Sequence, residues 1–163
     1  MLIIVRSIRQ MQISQIMEIY RESNMENAAI FFPYDPPGVA LTMAEQEFVR
    51  YLRDDFFKNS EAFYAIWTEE NLWVSALRME PYKDGFLLEA LETHPDHRKK
   101  GYATSLIKAV QQIVSAPIYS HVSKKNVSSL AVHKACDFHK LKEYAVYVDG
   151  SVSNQAFTMY YHK

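Results

Sequence analysis

The stretch Arg98-Lys99-Lys100-Gly101-Tyr102-Ala103 sets three cations directly before two small residues. Residues 86–93, apolar and strand-like, precede it, and residues 104–110 carry an apolar helical pattern. His94-Pro95-Asp96-His97 links the two. The start of a helix leaves about four backbone N–H groups unpaired and carries roughly half a positive charge. Such an end attracts anions. Gly101 has no Cβ, so a phosphate can approach the backbone closely, and Ala103 is small for the same reason. With Thr104 the run has the chemistry of a pyrophosphate cradle.

Two further groups carry chemistry. Glu89 and Glu92 stand three apart on the strand that feeds this loop. Alternation of strand side chains sends them to opposite faces, and a carboxylate on a central strand is costly unless wet or paired. Either one, directly or through water, can take the proton that an amine of pKa ~10 must lose before it attacks a carbonyl. The second group is the run from Asn126 to Phe138, in which Asn126, Ser129 and His133 recur at helical spacing.

Together these stretches resemble the acetyl-CoA site of the GNAT N-acetyltransferase superfamily. Its loop reads Gln/Arg-x-x-Gly-x-Gly/Ala, matched by Arg98, Gly101 and Ala103, with a strand and His94-Pro95 ahead. Its second signature reads Asn-x-x-Ala/Ser-x-x-Leu-Tyr-x-x-x-Gly-Phe, matched by Asn126, Ser129, Val132 and Phe138. His133 takes the place of the tyrosine that protonates the leaving thiolate, and Asp137 that of the helix-ending glycine. Asp tolerates left-handed backbone, which makes the second change tolerable. The resemblance implies acetyl-CoA as co-substrate, held by Leu91, Glu92 and Thr93 along its pantetheine arm. It implies residues 98–104 (Arg98, Lys99, Lys100, Gly101, Tyr102, Ala103 and Thr104) at its pyrophosphate, and Asn126, Ser129 and His133 on the second helix. It implies His133 as acid and Glu92 or Glu89 as base, with Glu92 preferred beside the thioester. The expected function is acetyl transfer to the primary amine of a small molecule. A protein or peptide N-terminal acetyltransferase and a non-catalytic acyl-CoA-binding module are the alternatives.

Size and composition narrow the field. The 163 residues fit one domain spanning 1–163, and 48% of them are hydrophobic, enough for a sizeable core. A formal net charge of −1 gives no global field for nucleic acid or membrane. One cysteine excludes an internal disulfide framework and a cysteine-rich zinc site. His94 and His97 lack further nearby ligands, so no metal is expected. Only five apolar residues precede Arg6, too few for a signal-peptide core or a membrane span. A cytoplasmic monomer or homodimer is the expectation.

Positioning the motif takes a particular set of elements. Residues 2–6 read as a strand, and 12–22 as a helix with Ile13, Ile16, Met17, Ile19 and Tyr20 on one face. Residues 24–41, with Pro33, Asp35, Pro36, Pro37 and Gly38, read as a long connection. Thr42 with Glu45 reads as a capping box opening a helix to about Lys58. Strands follow at 62–68, 72–79 and 86–93, with turns between them. A helix over 101–115 stops before Pro117, and 118–122 is a short strand. A helix over 126–136 turns Val127, Leu130 and Ala131 inward. Residues 141–148 and 155–161 close a hairpin around Asp149-Gly150-Ser151. This order predicts an α+β fold, a mostly antiparallel twisted sheet of about seven strands flanked by about four helices. It is also the order of the GNAT fold. The aromatic residues Phe31, Phe32, Tyr34, Tyr144, Tyr147, Phe157, Tyr160 and Tyr161 fall where that fold walls its acceptor pocket.

Overall fold

A computed structural model describes all 163 residues. In chain order the elements are β1 (Leu2–Val5), α1 (Ile13–Ile19), α2 (Arg21–Phe31), α3 (Pro37–Asp54), β2 (Phe63–Glu69), β3 (Leu72–Tyr82) and β4 (Gly85–Thr93). Then come α4 (Tyr102–Ile113), β5 (Ile118–Ser123), α5 (Val127–Ala135), β6 (His139–Lys142), β7 (Ala145–Val146), β8 (Val152–Ser153) and β9 (Ala156–Tyr161). Seven strands form one sheet in the order β1-β2-β3-β4-β5-β9-β6. Every neighbouring pair in it is antiparallel except β4 with β5, which the α4 crossover makes parallel. The fold is the mixed α+β architecture that the element order implied, with five α-helices where about four were expected.

Alternation along the strands divides the core in two. Leu77, Met79 and Leu88 point to one face and pack against Leu106, Ile107 and Val110 of α4 and Cys136 beyond α5. Tyr64, Ile66 and Ala76 point to the other and pack against Ile16 and Ile19 of α1 and Leu52 of α3. The α4 positions 106, 107 and 110 form one apolar stripe at helical spacing, and all three are fully buried.

The connection read over residues 24–41 is mostly helix. α2 runs through Phe31 and α3 begins at Pro37, so irregular chain is confined to residues 32–36. Proline is compatible with the first helical position because its missing N–H would have no partner there. Pro37 therefore opens the helix that it was expected to exclude. Thr42 is inside α3, and its Oγ1 donates back to the Gly38 carbonyl at 3.0 Å, one turn earlier. It is not an N-cap. The last hairpin also differs. Residues 139–142 pair with β9, and residues 145–146 leave the sheet to form a two-stranded ribbon with β8. The phase of α5 differs as well: Val127 is 73% exposed, whereas His133 is buried.

Two features of β4 open and orient a site at its C-terminal end. Only Phe86, Leu87 and Leu88 pair with β5, opposite Ile118, Tyr119 and Ser120. Beyond Leu88 the two strands part. Gly85 anchors the closed end, because a Cβ there would lie 2.0 Å from the Pro117 carbonyl oxygen. That oxygen accepts the Phe86 N–H at 2.9 Å. The second feature is a β-bulge. Arg78 opposes Glu89 and Ala76 opposes Glu92, so Ala90 and Leu91 together face Leu77. Ala90 takes a φ of +49°, which is strained for a residue with a Cβ. The buried Tyr20 hydroxyl donates to its carbonyl at 2.5 Å and holds the bulge in place.

Candidate active site

The parting of β4 and β5 opens a cleft of about 590 Å³ at the start of α4. Its walls are Leu91, Glu92 and Thr93 of β4, the loop and first turn of α4, and Asn126, Ser128, Ser129 and Val132 of α5. Of the residues expected from sequence, Arg98, Lys99, Gly101, Tyr102, Ala103 and Thr104 line it. Lys100 is exposed and outside it, and neither Glu89 nor His133 lines it. His97, Ser128 and Val132 also line it, although none of them was assigned to the coenzyme from sequence.

The anion end of the cleft is backbone. Gly101 is the N-cap of α4 at φ +81°, and no side chain caps the helix. The N–H groups of the first turn are therefore left toward the cleft. Lys99 is also left-handed, at φ +61°. Alternating backbone handedness of this kind gathers N–H groups into an anion-binding concavity. Space around Gly101 is open, with nothing within 4 Å of where a Cβ would sit. Arg98 is spent differently. Its Nη2 pairs with Glu22 of α2 at 2.6 Å, and its Nε donates to the Thr93 carbonyl at 3.3 Å. Both ionic partners are about half exposed, so the pair ties α2 to the loop at a gain of under about 1 kcal/mol.

α5 is fixed at both ends. The Asn126 side chain accepts from the Ser129 N–H at 3.0 Å, capping the start. At the finish the Phe138 N–H bonds the His133 carbonyl, and the Asp137 N–H bonds the Lys134 carbonyl. With Asp137 at φ +61° this is a Schellman end, an aspartate standing in the left-handed position usually given to glycine.

His133 faces away from the cleft. Its ring is 1% exposed and packs edge-on to Phe138, with ring centroids 5.1 Å apart. Nδ1 donates to the Ser129 carbonyl at 2.8 Å, which leaves Nε2 to accept from the Ser120 hydroxyl at 2.9 Å. Burial lowers its pKa, with the Ser129 carbonyl partly opposing. A buried, neutral imidazole with both nitrogens engaged is placed to join α5 to β5. It is not placed to meet a ligand in the cleft.

The carboxylates are also rearranged. The bulge adds one residue between them, so Glu89 and Glu92 share the face toward α1–α3 and do not point opposite ways. Glu89 is paired with Arg78 at 3.1 Å, and Arg78 lies over the Tyr51 ring. Glu80 beside it is held above the usual carboxylate range, first by burial and then by Glu89. Glu92 is raised by burial, with Ser23 and Arg98 pulling it down.

One residue that sequence reasoning passed over stands at the fork on this same face. His121 is the first β5 residue past the Leu88–Ser120 pair, as Glu89 is on β4. Both of its ring nitrogens are buried without a hydrogen-bond partner. Its ring lies edge-on to Tyr82 and to Tyr147, at 5.6 and 5.2 Å between centroids. A lone histidine on a strand carries no motif, so spacing gave no signal.

No cluster of three or more His, Cys, Asp or Glu side chains is arranged to hold a metal ion. No helix is long and apolar enough to cross a membrane.

Solved structures similar in fold carry the same architecture. The PaiA N-acetyltransferase of Thermoplasma acidophilum, solved in complex with coenzyme A, superposes with a TM-score of 0.65 at 11% identity, covering 100% of this chain and 99% of that one. The ribosomal-protein-S18-alanine N-acetyltransferase of Escherichia coli gives 0.58 at 16% identity, covering 98% and 92%. A GNAT-family acetyltransferase of Bacillus cereus gives 0.56 at 16%, covering 100% and 98%. The sequence has no significant match among curated proteins. The model of the acetyltransferase (GNAT) family matches residues 14–138, a span that contains the split strands, the uncapped α4 start and α5. The chain belongs to the GNAT acetyltransferase family.

Proposed function

We propose that this protein transfers the acetyl group of acetyl-CoA to the primary amine of a small molecule in a ternary complex. The observation that carries the reading is the cleft, whose uncapped helix start lies at one end and whose parted strands lie at the other. The diphosphate of coenzyme A suits the N–H groups of residues 101–104. The β5-facing edge of residues 89–93 has no strand partner, so the pantetheine amides suit it as an added strand. The thioester then arrives near the fork.

The amine suits the opposite face, under α1–α3. Glu92, raised by burial and set in the cleft wall, is the carboxylate that meets the incoming ammonium. Glu89 stands deeper, paired with Arg78. The β7–β8 ribbon is held over this face by Tyr82, whose hydroxyl donates to the Val146 carbonyl, and by Thr158, whose Oγ1 donates to the Tyr144 carbonyl at 2.7 Å. Helices on one side and a ribbon on the other suit a small acceptor. Ammonium and acetyl-CoA together give N-acetylamine, free CoA thiol and one proton. The nitrogen lone pair forms the N–C bond, the C–S bond breaks, and its electron pair goes to sulfur. A thiolate of pKa about 8–9 leaves readily, so His133 is not needed as an acid.

Thiol release from acetyl-CoA over a panel of primary amines, with calorimetric CoA binding as control, tests the reading. Turnover with at least one amine supports it. CoA binding without turnover would favour a binding module.

A further inference from the structure

The two histidines flanking the β4–β5 fork are in opposite states. His133, on the α5 side, has both nitrogens hydrogen-bonded. His121, on the acceptor side, has neither. A buried polar atom left without a partner costs on the order of 1–3 kcal/mol and calls for an explanation. The neighbours of His121 do not supply a partner. Tyr82 donates its hydroxyl to Val146, and the Thr158 side chain beside it on β9 donates to Tyr144. Glu89 is turned to Arg78.

We propose that His121 is the general base that takes the proton from the acceptor ammonium. The inference rests on the acetyl-transfer reading above. Three observations carry it. Both ring nitrogens are buried and unpartnered, so the unprotonated one has a free lone pair. The residue stands one position past the last β4–β5 pair, at the fork and on the acceptor side, outside the wall of the coenzyme cleft. It shares its face with Glu89, whose negative charge favours the imidazolium formed when the proton arrives. The other charged group facing it is Lys83, at the β3–β4 turn, which disfavours that form. Tyr82 and Tyr147 are the titratable rings in contact. Burial, the largest influence, keeps the ring neutral and ready to accept near neutral pH. The step is balanced. Ammonium gives one proton to the unprotonated ring nitrogen of His121, and solvent later removes it. The freed lone pair attacks the thioester carbon, the C–S electron pair goes to sulfur, and the second nitrogen proton ends on the thiolate.

The test compares wild type, His121→Gln and His121→Phe in thiol release across the amine panel between pH 6 and 10, with acetyl-CoA affinity measured alongside. Histidine ¹⁵N NMR of the wild type follows His121 directly. At pH 7 we expect kcat to fall about 100-fold or more in both variants, within the range for a lost general base. Acetyl-CoA affinity should stay within about twofold, and the deficit should shrink toward pH 10, where the amine supplies its own free base. The NMR signal of His121 should titrate below 6.5. Variants with wild-type kcat and pH profile would overturn the base assignment alone, as would a His121 that titrates above 6.5. A wild type that binds acetyl-CoA but acetylates no amine would overturn the transfer reading and the base with it.

Discussion

Glu89 and Glu92 lie on the same face of β4, although they stand three positions apart along the strand. The bulge at Ala90 and Leu91 is the cause, and its cost is visible in the positive φ of Ala90. Backbone strain of this kind persists where the surroundings over-determine it, and it clusters at functional sites. Here the Tyr20 hydroxyl secures the Ala90 carbonyl, and both carboxylates turn toward the helices that cover the acceptor face. Tyr20→Phe should therefore reduce kcat several-fold and lower stability by about 1–2 kcal/mol, the loss for a buried hydrogen bond. Denaturant melts and thiol-release rates check both effects. A variant of unchanged rate would show that the bulge is indifferent to this bond.

Gly101→Glu should abolish measurable acetyl-CoA binding. It sets a negative charge beside the diphosphate, which at an effective dielectric near 20 costs about 4 kcal/mol per nearby charge. It also forces a side chain into φ +81°. Gly101→Asn separates the two, since asparagine tolerates that backbone. Calorimetry should find Gly101→Asn much closer to wild type than Gly101→Glu.

Asp137→Gly should stabilise the fold by about 0.5–1 kcal/mol. Asp137 is strained in a left-handed backbone at the end of α5 that glycine adopts freely. A thermal melt should show the rise, with acetyl-CoA affinity unchanged because Asp137 lies outside the cleft wall.

Stability should fall as pH drops below about 6.5. His94, His121 and His133 are all held below the ordinary histidine value by burial. Between their unfolded and folded pKa values the unfolded chain binds more protons, so acid favours unfolding. Their contribution is full above 6.5 and is lost as pH falls toward the folded values. His133→Leu should flatten this dependence while costing about 1–3 kcal/mol at pH 8, because the Ser120 hydroxyl and Ser129 carbonyl lose their buried partner. Melts from pH 5 to 8 read both.

The architecture and the anion end of the cleft were legible in the sequence because local signals and tertiary packing agree there. Apolar alternation located the main strands, and Arg98, Gly101 and Ala103 marked the start of α4. Three features were hidden, each for a physical reason. Proline at position 37 reads as a breaker, yet at a first helical position it costs nothing. The bulge leaves no residue signature, since Ala90 is an ordinary strand residue by type, and strict alternation misassigned the faces of Glu89 and Glu92. α5 offers two stripes of similar character. Packing chose the one with Leu130, His133 and Cys136, which buried the histidine that the motif suggested for chemistry and left His121 on β5 at the fork.

The most direct measurement is a crystal structure with acetyl-CoA bound. The expected result places the diphosphate oxygens about 2.7–3.2 Å from backbone nitrogens of residues 101–104. It runs the pantetheine arm along residues 89–93 beyond the Leu88–Ser120 pair, with the thioester on the side of His121. A coenzyme seated elsewhere, or a thioester turned away from the Glu92 and His121 face, would contradict the account.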